Sequence, residues 1–231
     1  MSPNQVGVVL VHGAWADGSS WAKIIGPLVA DGIEVVAAPL PLTSFEDDMA
    51  ALNRSLERVS GRIVLVGHAY AGAVIAATRD PKVEALVYIA ALAPDEGETV
   101  ADVFYRMEPH PKAPKLAPDS HGLIYLPHDA FGEAFAQNAS IEERAVLAAV
   151  QLPISPACIA VAMDRSLWKD RPSWFLVAEQ DRMIVHETQR FMAERMKAEI
   201  RSHPVDHTPI VTAPSAVVDV IREAIAALPA S

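Results

Sequence analysis

Short apolar runs rich in β-branched residues recur along the chain, with helical patterns between them. The runs stand at 6–11, 33–38, 63–66, 85–90, 173–178 and 199–205. Polar residues almost never alternate within them, which is typical of strands buried on both faces of a parallel sheet. Helical patterns fall at about 19–31, 46–59, 70–79, 188–197 and 214–227. The alternation predicts an α/β protein with a mostly parallel sheet of about six strands and helices on both faces.

The regular alternation stops after the segment APDEGET and resumes near Pro172. The interval is rich in Pro and His, and its segments AFGEAFAQ and EERAVLAAVQ predict two short amphipathic helices. About 70 residues between two strands is too long for an ordinary loop. We therefore predict a core formed by 1–97 and 171–231, and a small helical cap formed by 98–170.

The composition limits the kinds of partner that the chain can bind. Its 231 residues, 51% of them hydrophobic, suffice for one substantial core. A formal charge of −10 and a pI of about 5.2 disfavour a nucleic-acid surface, which needs clustered Lys and Arg. Small neutral partners are expected instead. Cys158 is the single cysteine, so no intrachain disulfide can form, and we expect it to be a buried apolar residue.

Two features of the sequence bear on where the protein works. The longest apolar run, 85–94, is about half as long as the roughly 18 to 20 residues of a membrane-spanning helix, so no membrane span is predicted. The first cation after the initiator is Lys23, whereas a secretory signal carries its positive charge ahead of its apolar core. A cytoplasmic protein is therefore expected.

The stretch VLVGHAYAGAVI at 64–75 has the pattern of a sharp turn from strand to helix. In the motif G-x-S-x-G, small residues permit a strained turn that presents a serine at the carboxyl end of the sheet. Gly67 to Ala71 occupy the five positions, Gly72 follows, and Ala69 stands where the serine is expected. Similar turns occur in nucleotide-binding folds, but the fingerprint G-x-G-x-x-G is absent after the first strand. The pattern predicts a nucleophile turn without its nucleophile.

The loop after the first strand and two polar residues late in the chain fit the same chemistry. VLVHGAW at 9–15 ends a strand in His12 and Gly13, as expected of a loop that donates an oxyanion-hole N–H. Asp181 directly follows one predicted strand, and His207 follows another. The turn, an acid and a histidine therefore come in the chain order known for such turns, at the strand ends where ligands bind in α/β sheets.

Each of these residues has a competitor. Asp206 adjoins His207, but an immediate neighbour is poorly placed to accept a hydrogen bond from the histidine ring. His203 lies inside a strand pattern and is expected to be a packed or edge residue. Four more histidines lie in or beside the cap without the compact spacing of metal ligands, so no metal site is predicted: His110, His121, His128 and His186.

Taken together, these motifs resemble those of a known family. HGAW followed by Trp21, the turn GHxYxG, the acid in EQDRMI and the histidine in DHTPIV resemble the α/β-hydrolase superfamily. The similarity is greatest to the branch of plant methyl esterases, hydroxynitrile lyases and their bacterial relatives. It implies the α/β-hydrolase fold and an acyl-enzyme mechanism that needs no cofactor.

The resemblance also implies roles for particular residues. Position 69 becomes the nucleophile, His207 the general base and Asp181 the carboxylate that orients it. The backbone N–H groups of Ala14 and Tyr70 would form the oxyanion hole. Such a site works because the histidine removes the hydroxyl proton while two amides stabilise the developing oxyanion.

The resemblance implies an ester hydrolase more than a lyase. Lyases of this branch place a threonine in the first loop and a lysine beside the histidine, where this chain has Gly13 and Thr208. The expected partner is a small, uncharged ester, thioester or lactone with an aromatic or medium-length acyl part. The expected partners also include a second copy of the chain, in a homodimer. The residues expected to contact the substrate are Trp15, His68, Phe131 and Phe135.

Ala69 has neither a proton to give nor a lone pair with which to attack. One hypothesis is an engineered knockout of an active hydrolase. Others are a natural pseudoenzyme, a ligand-binding protein, and a fold member that uses His207 and Asp181 for proton transfer alone, as the resembling cofactor-free dioxygenases do. The acid, the base and the HGA loop all remain in register, which favours the inactivated hydrolase.

Overall fold

The computed structural model describes residues 6–229 and places a single parallel sheet at their centre. Its strands are β1 (Val6–Val11), β2 (Glu34–Ala38), β3 (Arg62–His68), β4 (Val83–Ile89), β5 (Ser173–Ala178) and β6 (Glu199–His203). They lie in the order β2-β1-β3-β4-β5-β6, and every neighbouring pair is parallel. The parallel α/β architecture of about six strands predicted from the sequence is confirmed.

Burial across the sheet explains why the strands read as apolar runs. β5 is buried at every position, and β1, β3 and β4 are buried at nearly every position, because helices cover both faces. The last strand, β6, lies at an edge and is only partly buried. Its pattern accordingly carries charged and polar side chains, as edge strands commonly do.

The described residues form eight α-helices. They are α1 (Ala22–Ala30), α2 (Phe45–Glu57), α3 (Ala71–Ala77), α4 (Val100–Phe104), α5 (Ile141–Val150), α6 (His186–Arg195), α7 (Pro209–Thr212) and α8 (Pro214–Ala226). Helix α1 packs with α8, and α2 packs with α3. No helix of this part of the chain is long and apolar enough to cross a membrane.

Local sequence signals set several helix starts. The side chain of Ser44 accepts a hydrogen bond from the Asp47 N–H at 3.1 Å, capping α2. Ser140 and Glu143 form a reciprocal capping box at the start of α5. These caps satisfy N–H groups that the first turn of a helix leaves without partners.

The segment between β4 and β5 covers the carboxyl end of the sheet. EERAVLAAVQ forms α5 as predicted, whereas AFGEAFAQ forms a short π-helical turn, Phe131–Phe135, instead of an amphipathic helix. The predicted amphipathic spacing is kept over this single turn, because Phe131, Ala134 and Phe135 are buried while Glu133 is exposed. The division into core and cap stays a prediction, and its residues 1–5 and 230–231 lie outside the described part of the chain.

Most predicted boundaries agree with the structure within about two residues, and the differences have local causes. β6 was predicted to reach residue 205 but ends at His203, because the Val205 N–H turns back to the His203 carbonyl at 2.8 Å. The predicted helix 70–79 ends at Ala77, since Thr78 adopts an extended conformation.

Candidate active site

The turn between β3 and α3 has the geometry of a nucleophile elbow. Ala69, at its apex, has a φ of 52°, a left-handed conformation that costs a non-glycine residue roughly 1–2 kcal/mol. The Ala69 N–H donates to the Ile89 carbonyl at 3.2 Å, and the Ala69 carbonyl accepts from the N–H groups of Gly72 and Leu92 at 3.1 and 2.9 Å. Three backbone hydrogen bonds therefore hold the strained apex in place.

Two glycines leave room for this turn. A Cβ atom on Gly67 would lie 2.9 Å from the Ala71 carbonyl oxygen, and one on Gly72 would lie 2.2 Å from the Leu92 carbonyl oxygen. Both contacts are with backbone atoms, which cannot move aside cheaply. Gly67 is therefore required by the tight turn of the elbow itself, and Gly72 by the close approach of the elbow to the loop after β4.

The first loop passes directly over the elbow. A Cβ atom on Gly13 would lie 2.8 Å from the His68 carbonyl oxygen and 2.9 Å from the Ala69 Cβ, so only glycine fits there. The backbone N–H groups of Ala14 and Tyr70 donate to no protein acceptor within the described residues. Both are therefore free to donate to a ligand, as the sequence predicts for an oxyanion hole.

His12 supports this loop from below. Its Nε2 accepts a hydrogen bond from the Leu40 N–H at 3.0 Å, so its Nδ1 carries the proton and faces the Gly13 carbonyl at 2.9 Å. Burial lowers the pKa of His12, which keeps the ring neutral. The role of His12 is to fix the backbone that leads to Ala14.

His207 and Asp181 form a buried pair beside the elbow. The His207 Nδ1 lies 2.8 Å from Oδ2 of Asp181, at the turn after β5. The remaining ring nitrogen, Nε2, has no protein partner within residues 6–229. Ala69 and His207 line the same cavity, so this free nitrogen can act as a base there.

The Asp181 carboxylate is held by four hydrogen-bond donors. Oδ1 accepts from the N–H groups of Met183 and Ile184 at 2.7 and 2.9 Å. Oδ2 accepts from the His207 ring and from the Gln189 side-chain amide, each at 2.8 Å. The geometry suits an anionic carboxylate that orients a histidine and stabilises its charged form.

No sequence motif points to Gln189, because a lone glutamine in a helix carries none. Its buried amide also donates to the Ile184 carbonyl at 2.7 Å and accepts from the Ala178 N–H at 3.0 Å. Gln189 thus connects the end of β5 with Asp181 and with the rest of the turn 181–184, which we call the acid turn. Its complete burial in α6 is the feature that distinguishes it from an ordinary surface glutamine.

His68 holds the main chain of the base. Its Nε2 lies 2.7 Å from the His207 carbonyl oxygen, to which it donates, and the two rings are 5.1 Å apart between centroids. Burial lowers the pKa of His68 to about 3, so the ring is neutral. The sequence placed His68 at the substrate, but the structure places it behind His207 and away from the cavity lining.

Asp206, the competing acid, has other partners. Its Oδ2 accepts from the Asn138 N–H at 2.9 Å, and its Oδ1 accepts from the Thr212 hydroxyl at 2.5 Å. The hydroxyl of Thr208 donates to the Phe135 carbonyl at 2.6 Å. These bonds tie the loop that carries His207 to the segment between β4 and β5. His203, the competing base, is a half-buried residue of the edge strand.

Tyr70 takes part in a second buried cluster next to the elbow. Its hydroxyl donates to Oδ2 of Asp48 at 2.7 Å, and Oδ1 of Asp48 accepts from the Leu42 N–H at 2.8 Å. The Cys158 thiol lies against both Tyr70 and Asp48, and burial raises the pKa of that thiol to about 12. As expected, Cys158 is buried and free.

The cavity above Ala69 is almost entirely apolar. Its wall includes Trp15, whose indole N–H donates to the Ile124 carbonyl at 2.9 Å. Phe131 and Phe135, predicted to face the substrate, do not line it; Phe135 packs against Trp15 and His207 from behind, and Phe131 packs against Phe135. The main lining side chains are Trp15, Leu92, Phe104, Ile124, Ile154 and Ile184.

A match to a family model shows to which protein family the chain belongs. A model described as the alpha/beta hydrolase family matches residues 8–220. The chain belongs to that family. The match spans the elbow, Asp181 and His207, so the α/β-hydrolase fold and the family membership predicted from the sequence motifs are confirmed. No curated protein matches the chain in sequence.

Solved structures with the same fold are related to this alpha/beta hydrolase at low identity. Polyneuridine aldehyde esterase is 18% identical with a TM-score of 0.77, covering 95% of this chain and 99% of its own. A pyrethroid hydrolase from Sphingobium faniae JZ-2 is 20% identical with a TM-score of 0.79, covering 96% and 98%. A methylesterase from Arabidopsis is 14% identical with a TM-score of 0.79, covering 96% and 100%. These likenesses extend over the whole fold.

The site of this alpha/beta hydrolase family member offers a base and two free amide donors around an apolar cavity. Within residues 6–229, no group of three or more His, Cys, Asp or Glu side chains is placed to hold a metal ion. The arrangement can bind an uncharged carbonyl compound and can move a proton at His207. It lacks a side-chain nucleophile at the apex, where Ala69 presents a methyl group.

Proposed function

We propose that this chain carries the site of a serine-type ester hydrolase whose nucleophile position is filled by Ala69. Its ligand is a small, uncharged ester, thioester or lactone with an aromatic or medium-length acyl part. The observation that carries the proposal is the convergence on Ala69 of the His207–Asp181 pair and the free N–H groups of Ala14 and Tyr70.

The strained apex supports this reading of the turn. A φ of 52° lifts the side chain of residue 69 toward the cavity that His207 also lines. Glycine adopts such a φ without cost, whereas alanine does not. The turn therefore keeps the geometry that presents a nucleophile, although it presents only a methyl group.

A hydroxyl at position 69 would complete a familiar mechanism. Nε2 of His207 would take its proton as the oxygen attacks the ligand carbonyl carbon, and Asp181 would stabilise the charged ring. The Ala14 and Tyr70 amides would bind the oxyanion, after which the leaving group departs with the proton from His207. Water, activated by the same nitrogen, would then release the acid.

With Ala69 the acyl-enzyme cannot form. Loss of the serine of a working triad lowers turnover by about a millionfold, while binding and the oxyanion hole persist. We infer that the chain is the inactive form of a hydrolase. The gene's own codon for residue 69 tests the engineered origin, because an encoded alanine would leave a natural pseudoenzyme.

The direct test is Ala69→Ser. The variant is expected to hydrolyse p-nitrophenyl acetate and butyrate with a burst of nitrophenol and to react with serine-directed organophosphates. The unchanged chain and an Ala69→Ser, His207→Ala double variant are the controls. A folded Ala69→Ser protein that shows neither turnover nor organophosphate labelling would rule out the hydrolase proposal.

A second candidate function follows from the free Nε2 of His207. With no serine between them, this base and the two amides face a bound carbonyl compound directly. His207 can remove a proton from the carbon next to the carbonyl, and the electron pair then moves to the carbonyl oxygen held by Ala14 and Tyr70. Reprotonation returns the ligand unchanged except for the exchanged hydrogen.

Deuterium exchange separates this candidate from simple ligand binding. In D2O, the unchanged chain is expected to exchange the α-hydrogens of a small aryl ketone such as 4-phenyl-2-butanone, measured by NMR. His207→Ala should abolish the exchange while keeping the affinity. Binding without exchange in the unchanged chain, together with an inactive Ala69→Ser, would favour a ligand-binding protein.

A further inference from the structure

The cavity above Ala69 is one of three neighbouring cavities that lead toward the protein surface. A second cavity adjoins it under the segment that follows α4, and the two share Phe104, Tyr105, Leu116 and Met183. The second cavity continues to Met107, which also borders an open groove on the protein surface. The elbow cavity, the second cavity and the groove therefore adjoin in that order and define a path from the elbow toward solvent, with the four shared side chains at the first junction.

The outer part of this path exposes apolar side chains. Tyr105 is 58% exposed and Met107 is 41% exposed, although both are large and hydrophobic. Among the side chains that line the second cavity, Lys115 is the only charged one, and the others are apolar or aromatic. Exposed apolar residues that border a cavity are typical of ligand-binding grooves.

We propose that this outer cavity is a subsite for the distal hydrocarbon arm of the ligand. The position of the ligand carbonyl at Ala69 rests on the proposed function, and the path then fixes the direction of the acyl chain. The carbonyl lies against Ala14 and Tyr70, and the first carbons fill the inner cavity. The remaining carbons pass between Leu116 and Met183 and end beside Tyr105 and Met107.

The outer subsite indicates a narrower class of ligand than the inner cavity alone does, namely esters with a long apolar acyl chain. An acyl chain that reaches past Leu116 buries additional methylene groups, whereas a short acyl group leaves the outer cavity empty. Each buried methylene is expected to tighten binding about two- to fourfold. A cationic group on the distal end is disfavoured, because the one charged side chain in the lining of the outer cavity, Lys115, is itself a cation.

The test measures binding to the unchanged chain, in which Ala69 prevents acyl-enzyme formation. Ethyl butanoate, hexanoate, octanoate and decanoate are titrated, and the dissociation constants are obtained calorimetrically. Affinity is expected to rise by about two- to fourfold for each added methylene over this series. Equal affinities for all four esters would overturn the subsite.

Two variants test whether the dependence of affinity on acyl-chain length arises in the outer cavity. Met107→Asp and Ala113→Asp put a charge into the subsite, and both are expected to flatten the chain-length dependence while butanoate binds as before, because neither side chain lines the inner cavity. The matched control is Tyr125→Asp, which changes a tyrosine that is 49% exposed and lines neither cavity. An unchanged slope in both subsite variants, or a flat slope in the control, would contradict the proposal.

The outcome is distinguishable from that of the proposed function. A chain-length dependence that Met107→Asp removes establishes the subsite even if Ala69→Ser fails to hydrolyse any ester. Conversely, an active Ala69→Ser enzyme whose unchanged parent binds all four esters equally would uphold the hydrolase site and eliminate the subsite.

Discussion

The phenol of Tyr70 donates a 2.7 Å hydrogen bond to the buried carboxylate of Asp48. Tyr70 directly follows the elbow apex and supplies one of the two free amides, so this bond fixes the residue that would contact an oxyanion. Asp48 also accepts from the N–H of Leu42, whose φ is 59°. One carboxylate thus holds both the elbow and the loop between β2 and α2.

Asp48→Asn is expected to destabilise the fold, because the amide that replaces one carboxylate oxygen cannot accept from both Tyr70 and Leu42. An unsatisfied buried group costs about 1–3 kcal/mol. At about 2–4 °C per kcal/mol for a chain of this size, the melting temperature should fall by roughly 2–12 °C. Thermal unfolding measures this fall in melting temperature. The control is Glu46→Gln, which changes an exposed residue on the same helix. Equal melting temperatures for the two variants would contradict the role of Asp48.

Gln189→Leu tests the support of the acid. The variant removes one donor to Oδ2 of Asp181 and releases the acid turn, so turnover should fall in the Ala69→Ser background. A hydrogen bond to a charged group contributes about 1.5–3 kcal/mol, which corresponds to roughly a 10- to 100-fold lower kcat. KM is expected to change little, since Gln189 does not line the cavity. The control is Glu187→Gln on the same helix, and a change in KM alone would contradict this role.

His207 and Asp181 should contribute unequally to the activity of Ala69→Ser. Replacing His207 by alanine is expected to remove the gained activity, by about a millionfold. Asp181→Asn should lower kcat by about ten-thousandfold, because the amide disturbs the tautomer of the ring. Single-turnover kinetics with p-nitrophenyl acetate measures both. A residual rate in His207→Ala close to that of its parent would mean that another base acts.

The buried neutral histidines predict that acid weakens the fold. Burial lowers the pKa of His68 to about 3 and also lowers that of His12, whereas the unfolded chain protonates histidine near pH 6.5. Between these values the unfolded state binds more protons, so the free energy of unfolding decreases as the pH falls below about 6.5. Each such histidine contributes a slope of up to about 1.4 kcal/mol per pH unit.

Two buried carboxyl groups act in the opposite direction. Burial raises the pKa of Asp48 and of Asp206, so the native state takes up their protons first as the pH falls toward about 3.8. The urea concentration at the midpoint of unfolding, measured at pH 7, 6 and 5, separates the effect of the histidines from that of the carboxyl groups. His68→Asn should lose less stability over this range than the parent chain or the exposed control His121→Asn, and parallel curves for all three would refute the assignment.

A pair of glycines provides a stability test of the elbow itself. A Cβ atom on Gly72 meets the Leu92 carbonyl oxygen at 2.2 Å, whereas one on Gly26 meets nothing within 4 Å. Gly72→Ala should therefore prevent folding or lower the free energy of unfolding by several kcal/mol, like other backbone clashes. Gly26→Ala lies inside α1 and should stabilise the protein by about 0.5–1 kcal/mol. Equal stabilities would refute the close approach.

Much of this architecture could be predicted from the sequence, because the determining interactions are local. Apolar runs without polar alternation predict parallel strands, and Ser44 and Ser140 mark helix starts through caps that need only neighbouring residues. The elbow was predictable for the same reason. Gly67 and Gly72 appear in the sequence because a strained turn leaves no room for larger side chains.

The assignment of contacts within the site needed the tertiary structure. Asp181 and His207 are 26 positions apart and Asp48 and Tyr70 are 22 apart, so only the fold brings each pair together. Gln189 has no sequence signal, since its role depends on burial between β5 and the acid turn. The predicted substrate contacts of Phe131 and Phe135 differ from their observed positions, because Phe135 packs behind Trp15 and His207 and Phe131 packs against Phe135.

The sequence by itself determined the sheet, the elbow, the order of acid and base, and the absence of a hydroxyl at residue 69. These features follow from residue types and from spacing along the chain. The tertiary structure alone decided that Gln189 supports Asp181, that His68 lies behind His207, and where the apolar cavity leads. Those properties depend on distances between distant segments, which burial and backbone hydrogen bonding set only once the whole sheet has formed.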